Sequence, residues 1–575
     1  MAREVGAVTV AQLLRDRADD DRPGLRCADD GRAWTWRQVV AECRDRALRL
    51  AARSRPDRPV HVGVLLDNIP EMVFLLGGAA LSGAVLAALN PTRGVAELAG
   101  DADRADCDLI VTQDRYAGCA AQVAARSPRP LPVLSVENAS YLGGPPPEPP
   151  PGTPSGTPSA TPPGGAGAEP DDGTLLMLIF TSGTSGRPRA VRVTHRKIAV
   201  PGRSLAGRLL RPGDAVYCPM PLFHSAAVMA AYAPALAAGA ELVLRSRFSA
   251  SRLLPDVRAH GCTYLHYVGK ALSYVLATPP APDDRDNPLR VAFGNEAAPA
   301  EQRAFAERFG CAVLDAYGST ETAISLTPDP AGPPGSLGRL PEDVRILDPA
   351  TGRECPRVRL DASGRLLNGD EAIGELVNTG GMGLFDGYYK EDAPDRLRDG
   401  MFWSGDLAYA DDRGHVYFAG RSADRIRVDG ENFGAAQVER ALADLPGVRR
   451  LAVYGVPDAA SGDQVMLALV PDTPDGSSVP GAFDPEAFAA YLRGRPDIGP
   501  KWPPRYVRIA PELPATASNK ILKRVLVREG WRTGDPVWWR PGRELRYRPM
   551  TPDDKARLRA EFERRGRLHL LEGSG

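Results

Sequence analysis

The chain has 575 residues, more than one hydrophobic core normally accommodates, so we expect at least two domains. Its apolar content of 43% and its formal net charge of −1 are ordinary for a globular protein, and they argue against binding nucleic acid or an anionic membrane through bulk charge. The eight cysteines lack a CxxC pair or metal spacing, so we interpret them as reduced thiols of a cytoplasmic protein. Seven lysines accompany 64 arginines, which makes each lysine a better functional candidate than usual.

The first 142 residues show the alternation of strands and helices that is typical of α/β folds. The uncharged stretch 72–92 has the length of a membrane helix, but three glycines interrupt it and Asn90-Pro91 ends it. We interpret this region as a helix over Pro70–Ser82 between buried strands at 61–66 and 84–89, and we expect no membrane span. Residues 143–173 are almost entirely Pro, Gly, Ser and Thr, which predicts a disordered insertion within a domain.

A loop rich in hydroxyl groups follows the apolar run at 175–178. From Thr181 to Arg189 it contains four hydroxyl residues, two glycines, two arginines and a proline. Glycine lets backbone amides close around an anion, and the hydroxyls can donate to phosphate or reach a phosphate-bound Mg²⁺. The pattern favours a polyphosphate-binding loop, although it lacks the Walker lysine and also suits an ordinary surface loop. The loop residues that we expect to bind phosphate are Thr181, Ser182, Gly183, Thr184, Ser185, Gly186 and Arg189.

Strand–helix alternation continues, with polar turns after the predicted strands at 289–295 and 312–318. Ligands of parallel sheets lie at the carboxyl ends of the strands, so these turns are candidate binding positions. From about residue 337 the pattern changes to short β segments, and a smaller α/β unit follows, with a helix near 435–445 and strands near 451–456 and 465–470. We therefore predict a large domain over residues 1–420 and a small C-terminal domain over residues 421–575.

Four more motifs follow the loop, at residues 315–322, 402–407, 420–432 and 513–521. Each has an ordinary interpretation on its own: Glu321 as a helix cap, Asp406 as an exposed turn residue and Lys520 as a solvated lysine. The joint order and spacing of five motifs is much harder to attribute to chance.

Together the five motifs resemble the adenylate-forming superfamily of acyl-CoA synthetases, peptide-synthetase adenylation domains and luciferases. The stretches 66–71, 293–295, 385–388 and 421–432 look most like the fatty-acid-transport-protein and very-long-chain acyl-CoA synthetase branch. The resemblance implies a large N-terminal domain of stacked α/β subdomains plus a β-rich subdomain, followed by a small mobile α+β domain. It also implies a two-step reaction, in which a carboxylate attacks the α-phosphate of ATP to give acyl-AMP, and a thiol, usually of CoA, then displaces AMP.

The resemblance also assigns roles. The loop would hold the β- and γ-phosphates, although Arg189 stands where the family usually has lysine. Glu321 and Thr184 would bind Mg²⁺, a cation that prefers oxygen ligands. Lys520 would bridge the attacking carboxylate and the α-phosphate, where a positioned cation stabilises the transition state.

The resemblance places other residues around the nucleotide and the acid. Thr320 would contact the α-phosphate, Tyr317 would stack on adenine, and Asp406 would accept both ribose hydroxyls with Arg421 beside it. His224 is a gating candidate at the acyl site, and it suits equally well an ordinary histidine of a polar turn. Further residues expected at the nucleotide or on the mobile domain are Asn295, Asp315, Ala316, Gly318, the hinge residue Ala423 and Gly430.

Three functions compete at this point. The first is an acyl-CoA synthetase for a fatty or aromatic acid, and the second is an ATP-dependent diazotase of secondary metabolism that adenylates nitrite and transfers it to an aryl amine. The phosphate machinery of these two is identical, so the motifs do not separate them. The third, a lipid-uptake protein without catalysis, fits poorly with the intact Lys520 and Glu321. The acid, the acceptor, peripheral membrane association and the oligomeric state stay open.

Overall fold

In the computed structural model the chain forms two compact units. The first unit comprises Met1–Gly335 and Gly381–Asp395, and the second comprises Ser336–Gly380 and Arg396–Gly575. Nothing in the local sequence indicates that residues 381–395 belong to the first unit. The predicted domain boundary after residue 420 stays a prediction. The structure describes residues 8–55, 57–138, 141, 169–182, 188–297, 299–329, 332–333, 335–361, 366–421, 424–428, 431–460, 462–472, 483–495, 498, 501–515 and 521–572.

Strands and helices alternate along the first unit. Its strands are β1 (Pro23–Cys27), β2 (Ala33–Thr35), β3 (His61–Leu65), β4 (Val85–Ala88), β5 (Leu109–Thr112), β6 (Val133–Ser135), β7 (Leu175–Ser182), β8 (Pro188–Thr194), β9 (Ala215–Cys218), β10 (Glu241–Leu244), β11 (Tyr264–Val268), β12 (Val291–Asn295) and β13 (Ala312–Asp315). Its helices are α1 (Val10–Arg15), α2 (Trp36–Ala51), α3 (Pro70–Ser82), α4 (Val95–Arg104), α5 (Asp114–Ala124), α6 (His195–Leu209), α7 (Ser225–Ala227), α8 (Ala233–Ala238), α9 (Ala250–Ala259), α10 (Gly269–Leu276) and α11 (Pro299–Phe309), with a π-helical segment at Val228–Tyr232 between α7 and α8.

Two mostly parallel sheets organise this unit. One has the order β6-β5-β3-β4-β7-β8 and the other the order β13-β12-β11-β9-β10-β1-β2. Each sheet is parallel except for one antiparallel edge strand, β8 in the first and β2 in the second. The carboxyl ends of β12 and β13 are neighbours, and they carry Asn295 and Asp315, two of the residues predicted to lie at the nucleotide.

The packing of α2 against α3 explains the glycines of the uncharged stretch. A methyl group at Gly78 would lie 2.6 Å from Cβ of Arg46 and 3.1 Å from the backbone nitrogen of Ala47, so only glycine permits this approach. Arg46 also holds α3 through two hydrogen bonds to Glu71, of 2.8 and 2.7 Å. The predicted helix over Pro70–Ser82 is confirmed, and within the described ranges no helix has both the length and the apolar content to cross a bilayer.

The second unit combines a β-rich part with a smaller α/β part. Its elements are β14 (Val344–Leu347), α12 (Gly369–Ala372), β15 (Gly374–Asn378), β16 (Leu397–Arg398), β17 (Met401–Ala410), β18 (Val416–Arg421), β19 (Arg425–Val428), β20 (Glu431–Gly434), α13 (Ala435–Ala441), β21 (Val448–Pro457), β22 (Asp463–Pro471), α14 (Pro485–Arg493), β23 (Tyr506–Ile509), α15 (Lys523–Glu529), β24 (Val537–Trp539), β25 (Arg548–Pro549), α16 (Pro552–Arg564) and α17 (His569–Glu572). The predicted helix near 435–445 ends early, at Ala441, and a turn follows over 442–444.

The sheet β21-β22-β23-β24-β25 is buried on both faces. Alternate residues of β21 and β22 enter two different apolar clusters, so that Val453 and Leu467 contribute to one and Tyr454 and Met466 to the other. Helices α13 and α14 contribute to the first cluster and α15 and α16 to the second. This part of the chain therefore has cores of its own, and the expectation of a mixed α/β fold with a smaller C-terminal part is confirmed.

All eight cysteines are free, in agreement with reduced thiols. Of the predicted insertion at 143–173, residues 143–168 lie outside the described residues.

We predict that Gly78→Ala lowers stability by roughly 2–4 kcal/mol, because the added methyl group overlaps the backbone of α2. Gly118→Ala in α5 is the matched control, since its added methyl group meets no atom within 4 Å and should stabilise the helix by up to about 1 kcal/mol. Denaturant unfolding of both variants measures the effect. Equal stability of the two variants would contradict the packing described for α2 and α3.

Candidate active site

The predicted phosphate loop is the tip of an antiparallel hairpin. Thr181 pairs with Arg189 and Ser182 with Pro188 in the register of β7 and β8. The sequence analysis placed all of 181–189 in a loop. That extent was wrong, because ladder hydrogen bonds hold both ends of the segment as strand. Gly183, Thr184, Ser185 and Gly186 lie outside the described residues.

Arg189 is fixed at the base of this hairpin. Its Nη1 donates to both carboxylate oxygens of Asp395, at 2.8 and 3.0 Å, and its guanidinium carbon lies 4.7 Å from the ring centre of Tyr388. Its side chain is only 16% exposed. Asp395 and Tyr388 come from segment 381–395, so a distant part of the chain orients this cation.

Glu321 is a buried carboxylate held from two sides. Its Oε1 accepts a hydrogen bond of 2.9 Å from the Tyr388 hydroxyl, and its backbone carbonyl accepts one of 2.8 Å from Nζ of Lys197. Lys197 is fully buried, and burial lowers its pKa to about 8. Among the described residues, no lysine or arginine nitrogen lies within 4 Å of the Glu321 carboxylate. In this part of the chain the Glu321 carboxylate is therefore hydrogen-bonded by Tyr388 without a direct ion pair.

The backbone beside Glu321 is strained. Thr322 has a φ of 55°, which is rare for a β-branched residue, and its amide and hydroxyl both bond to the carbonyl of Ser319, at 3.0 and 3.2 Å. Next to it, the Thr320 hydroxyl is hydrogen-bonded to that of Ser225 at 3.0 Å. Such strain persists where the surroundings enforce it, often at functional sites. The turn 319–322 is thus joined to the start of α7.

The turn after β13 is held by Asp315. Its carboxylate accepts hydrogen bonds from the Tyr267 hydroxyl at 2.9 Å and from the Ala297 amide at 3.1 Å. Burial raises the pKa of Asp315 to about 6, although both hydrogen bonds oppose the shift. The Ala316 amide donates to the Gly294 carbonyl at 2.7 Å, which closes β13 onto β12.

Other predicted residues lie near these strand ends. Tyr317 is half-buried and forms an isolated bridge with Leu326, and Gly318 is exposed. His224 is half-buried immediately before α7, with its ring centre 4.7 Å from that of Phe223.

In the second unit, Asp406 follows a position within β17 that requires glycine. Gly405 has a φ of 75°, and a side chain there would collide with the guanidinium of Arg396. The Gly405 amide donates to Glu375 at 2.6 Å, and the Asp406 amide donates to the Ser404 hydroxyl at 3.1 Å. The ladder between β17 and β18 is irregular just beyond, and such bulges re-aim a side chain.

Asp406 pairs with Arg421 across β17 and β18, so the two predicted ribose residues are neighbours on the ladder. The backbone of Arg421 is described but its side chain is not. Ala423, Gly430 and Lys520 lie outside the described residues.

The donor set at Glu321 fits one hard cation that also binds a substrate. No group of three His, Cys, Asp or Glu side chains able to hold a metal occurs among the described residues. Mg²⁺ commonly uses one or two carboxylates together with substrate phosphates and water. An otherwise uncompensated buried carboxylate such as Glu321 suits this pattern.

Sequence reasoning missed Tyr388 and Asp395, and it included Lys197 only as one of seven scarce lysines. The contacts of Tyr388 and Asp395 reach across the chain, to residues 67 and 206 positions away, so no local pattern indicates them. The scarcity of lysine was the one signal that pointed to Lys197.

We predict that Asp315→Asn stabilises the protein at pH 8 by about 2 kcal/mol and loses this advantage toward pH 4. Because the folded pKa is raised from 3.8 to about 6, the ionised carboxylate opposes folding, and wild-type stability falls as pH rises through this interval. Denaturant unfolding at pH 4, 5 and 8 measures the difference. Asp286→Asn, at an exposed position, is the control, and an equal pH profile for both variants would contradict the assignment.

Comparison with known proteins identifies the family. The profile of the AMP-binding enzyme family matches residues 15–389, and that of the AMP-binding enzyme C-terminal domain matches residues 437–520. A steroid-22-oyl-CoA synthetase of Rhodococcus jostii is 46% identical, covering 99% of this chain and 100% of its own length. A medium/long-chain-fatty-acid–CoA ligase of Mycobacterium marinum is 43% identical, covering 92% of this chain and 98% of its own.

The solved structure of ATP-bound MatB from Rhodopseudomonas palustris has the same fold, with a TM-score of 0.73 at 23% identity over 90% of this chain and 98% of that one. The predicted resemblance is confirmed, and the comparisons give the diazotase hypothesis no support. The chain therefore belongs to the adenylate-forming superfamily of AMP-binding enzymes, and it is an AMP-forming ligase of the acyl-CoA synthetase type.

Proposed function

We propose that the enzyme converts a large apolar carboxylic acid, of the fatty or steroid side-chain type, into its CoA thioester through an acyl adenylate. The single observation that carries the proposal is the Glu321 carboxylate, which is buried, oriented by Tyr388 and joined through the turn 319–322 to the helix at Ser225. The names of the relatives supply the substrate class, since they act on a steroid acid and on medium- and long-chain fatty acids.

In the first step a carboxylate oxygen of the acid forms a bond to the α-phosphorus of ATP, and the bond to the β-phosphate oxygen breaks to release pyrophosphate. Negative charge builds on the α-phosphate, so a donor and a cation held there lower the barrier. Thr320 suits the donor role because Ser225 fixes its hydroxyl. Lys520 is the proposed cation by the family motif.

Mg²⁺ bound by Glu321, with Thr184 as a second proposed ligand, would neutralise phosphate oxygens. Tyr388 orients the Glu321 carboxylate and Lys197 anchors its backbone, so the ligand oxygen is preorganised. The hairpin tip, based on Thr181 and Arg189, is the proposed site of the β- and γ-phosphates.

Nucleotide and lid roles follow the motifs. We assign adenine to Tyr317 and to the backbone of the strand-end turns at Asn295 and Asp315–Gly318, and the ribose to Asp406 and Arg421. In the second step the CoA thiolate attacks the acyl carbon and AMP leaves, after a rotation of the C-terminal domain about Ala423 that brings Gly430 to the reacting thiol.

The acyl chain is proposed to enter beside His224, between α7 with its π-helical continuation and the seven-stranded sheet. The helix is rich in small residues, and alanines occupy positions 226, 227, 230, 231 and 233. Small side chains leave room for a bulky acid, and His224 is half-buried immediately before the first residue of α7.

The test is pyrophosphate release and acyl-CoA formation with a panel of acids: fatty acids of several lengths, a steroid side-chain acid, an aryl acid, and nitrite with an aryl amine. We expect turnover with the large apolar acids and CoA as acceptor. Turnover confined to small polar acids, or to nitrite with the amine, would refute the proposal.

We predict that Tyr388→Phe raises the Mg²⁺ concentration for half-maximal pyrophosphate release roughly tenfold, because the metal ligand loses the group that orients it. Calorimetric titration of MgATP should weaken in parallel. Tyr389→Phe is the matched control, since the hydroxyl of this neighbouring tyrosine donates to Asp106 and not to Glu321. An unchanged Mg²⁺ requirement in Tyr388→Phe would contradict the role of Glu321.

A further inference from the structure

One buried histidine has no place in the roles assigned above. His266, in the middle of β11, is 1% exposed, and its Nδ1 lies 3.1 Å from the carbonyl oxygen of Phe293 in β12. Since a carbonyl oxygen only accepts, Nδ1 carries the proton of the ring. Burial lowers the pKa of His266 to about 4, so the ring is neutral at pH 7 and Nε2 is an acceptor. Among the described residues, Nε2 has no hydrogen-bond partner.

A second unpaired acceptor lies on the same face of the sheet. Asn295 ends β12, and its Oδ1 is buried without a partner in the described part of the chain. His266 pairs with Phe293, and Val268 pairs with Asn295, so His266 and Asn295 are diagonal neighbours on one face. Each of these two buried acceptors lacks a hydrogen-bond donor in the described part of the chain, whereas buried polar groups are normally hydrogen-bonded.

This face of the sheet lies under the helix proposed to border the acyl chain. The Tyr264 hydroxyl, on the same face of β11 as His266, donates to the Ala230 carbonyl of the π-helical segment at 2.7 Å. Wide π turns of this kind recur at functional sites. The helix begins at Ser225, which is bonded to Thr320, so the helix that covers this face also contacts the turn of Glu321.

We propose that His266 and Asn295 recognise a hydroxyl group on the hydrocarbon skeleton of the acid, so that the preferred substrates are hydroxylated acids. The proposal rests on the proposed function and adds a substrate class to it. A hydroxyl donates its one proton to Nε2 of His266 and accepts from the Asn295 amide once that amide is turned, whereas a ketone oxygen only accepts and leaves Nε2 unpaired. The pair therefore favours an alcohol over the corresponding ketone and over the unsubstituted acid.

The test compares long-chain acids that carry a hydroxyl at successive positions with their keto and unsubstituted counterparts, using kcat/KM for pyrophosphate release. We expect at least one hydroxylated acid to exceed both counterparts by roughly tenfold or more, because unpaired polar groups in a site built for a hydroxyl penalise an analogue that lacks it. In His266→Phe this preference should be lost, with the unsubstituted acid still turned over.

Tyr264→Phe is the matched control, because its hydroxyl is already bonded to Ala230 and its loss should leave the selectivity ratio unchanged. His266→Gln, which keeps an acceptor, should retain part of the preference. An equal ratio in wild type and His266→Phe overturns the inference and indicates that water satisfies the pair. If His266→Phe does not fold, the comparison uses His266→Gln. If the kcat/KM values of the hydroxylated, keto and unsubstituted acids stand in the same ratio in this variant as in wild type, the inference is also overturned.

The two proposals fail differently. Turnover of unsubstituted acids without any preference for a hydroxyl refutes the recognition by His266 and leaves the ligase function standing. Absence of turnover with every acid refutes both.

Discussion

The pairing of segment 381–395 with β8 is the constraint on which the geometry of the site depends. Tyr388 bridges to Val191, and its neighbours bond to the backbone of Ala190 and Arg192 at 2.8 and 3.1 Å. This irregular strand places the Tyr388 ring against Arg189 and its hydroxyl on Glu321. One short segment thus connects the β7–β8 hairpin with the turn 319–322.

The two cationic side chains of the site, Lys197 and Arg189, differ in whether they form an ion pair with a carboxylate. Lys197 is the buried cation nearest the turn, yet it bonds to the carbonyl of Glu321 and leaves the carboxylate unpaired. A direct ion pair between these groups would satisfy the carboxylate and weaken its attraction for a metal ion. Arg189, in contrast, is neutralised by Asp395 and serves to fix the hairpin. Of these two carboxylates, Asp395 is paired with an arginine, whereas Glu321 is the proposed metal ligand.

Much of the fold was predictable because its signals are local. The proline at the start of α3 and Gly83 in the left-handed conformation at its end define that helix without reference to any neighbour. The order of the five motifs likewise identified the family. The boundary of the phosphate loop was less accessible, since composition does not reveal that Thr181 and Arg189 pair across a hairpin.

The parts of the site that sequence did not reveal depend on tertiary contacts. Lys197 follows His195 and Arg196, and this polar sequence predicts a solvent-exposed position. The packing of α6 buries the lysine. His266 occupies a strand whose apolar neighbours predict a core position, and its unpaired nitrogen appears only once β12 is placed beside it. Hydrogen-bond satisfaction is a property of the assembled sheet and has no counterpart in residue order.

The distance along the chain between Arg189 and Asp395 has a consequence for biogenesis. The two residues are 206 positions apart, so at typical ribosomal speeds of about 5–20 residues per second the hairpin emerges roughly 10–40 s before its anchor. During that interval the cation at its base has no counter-ion from segment 381–395, and the nascent β8 edge has no partner there. A ribosome-bound intermediate therefore exposes this strand edge until segment 381–395 has been synthesised.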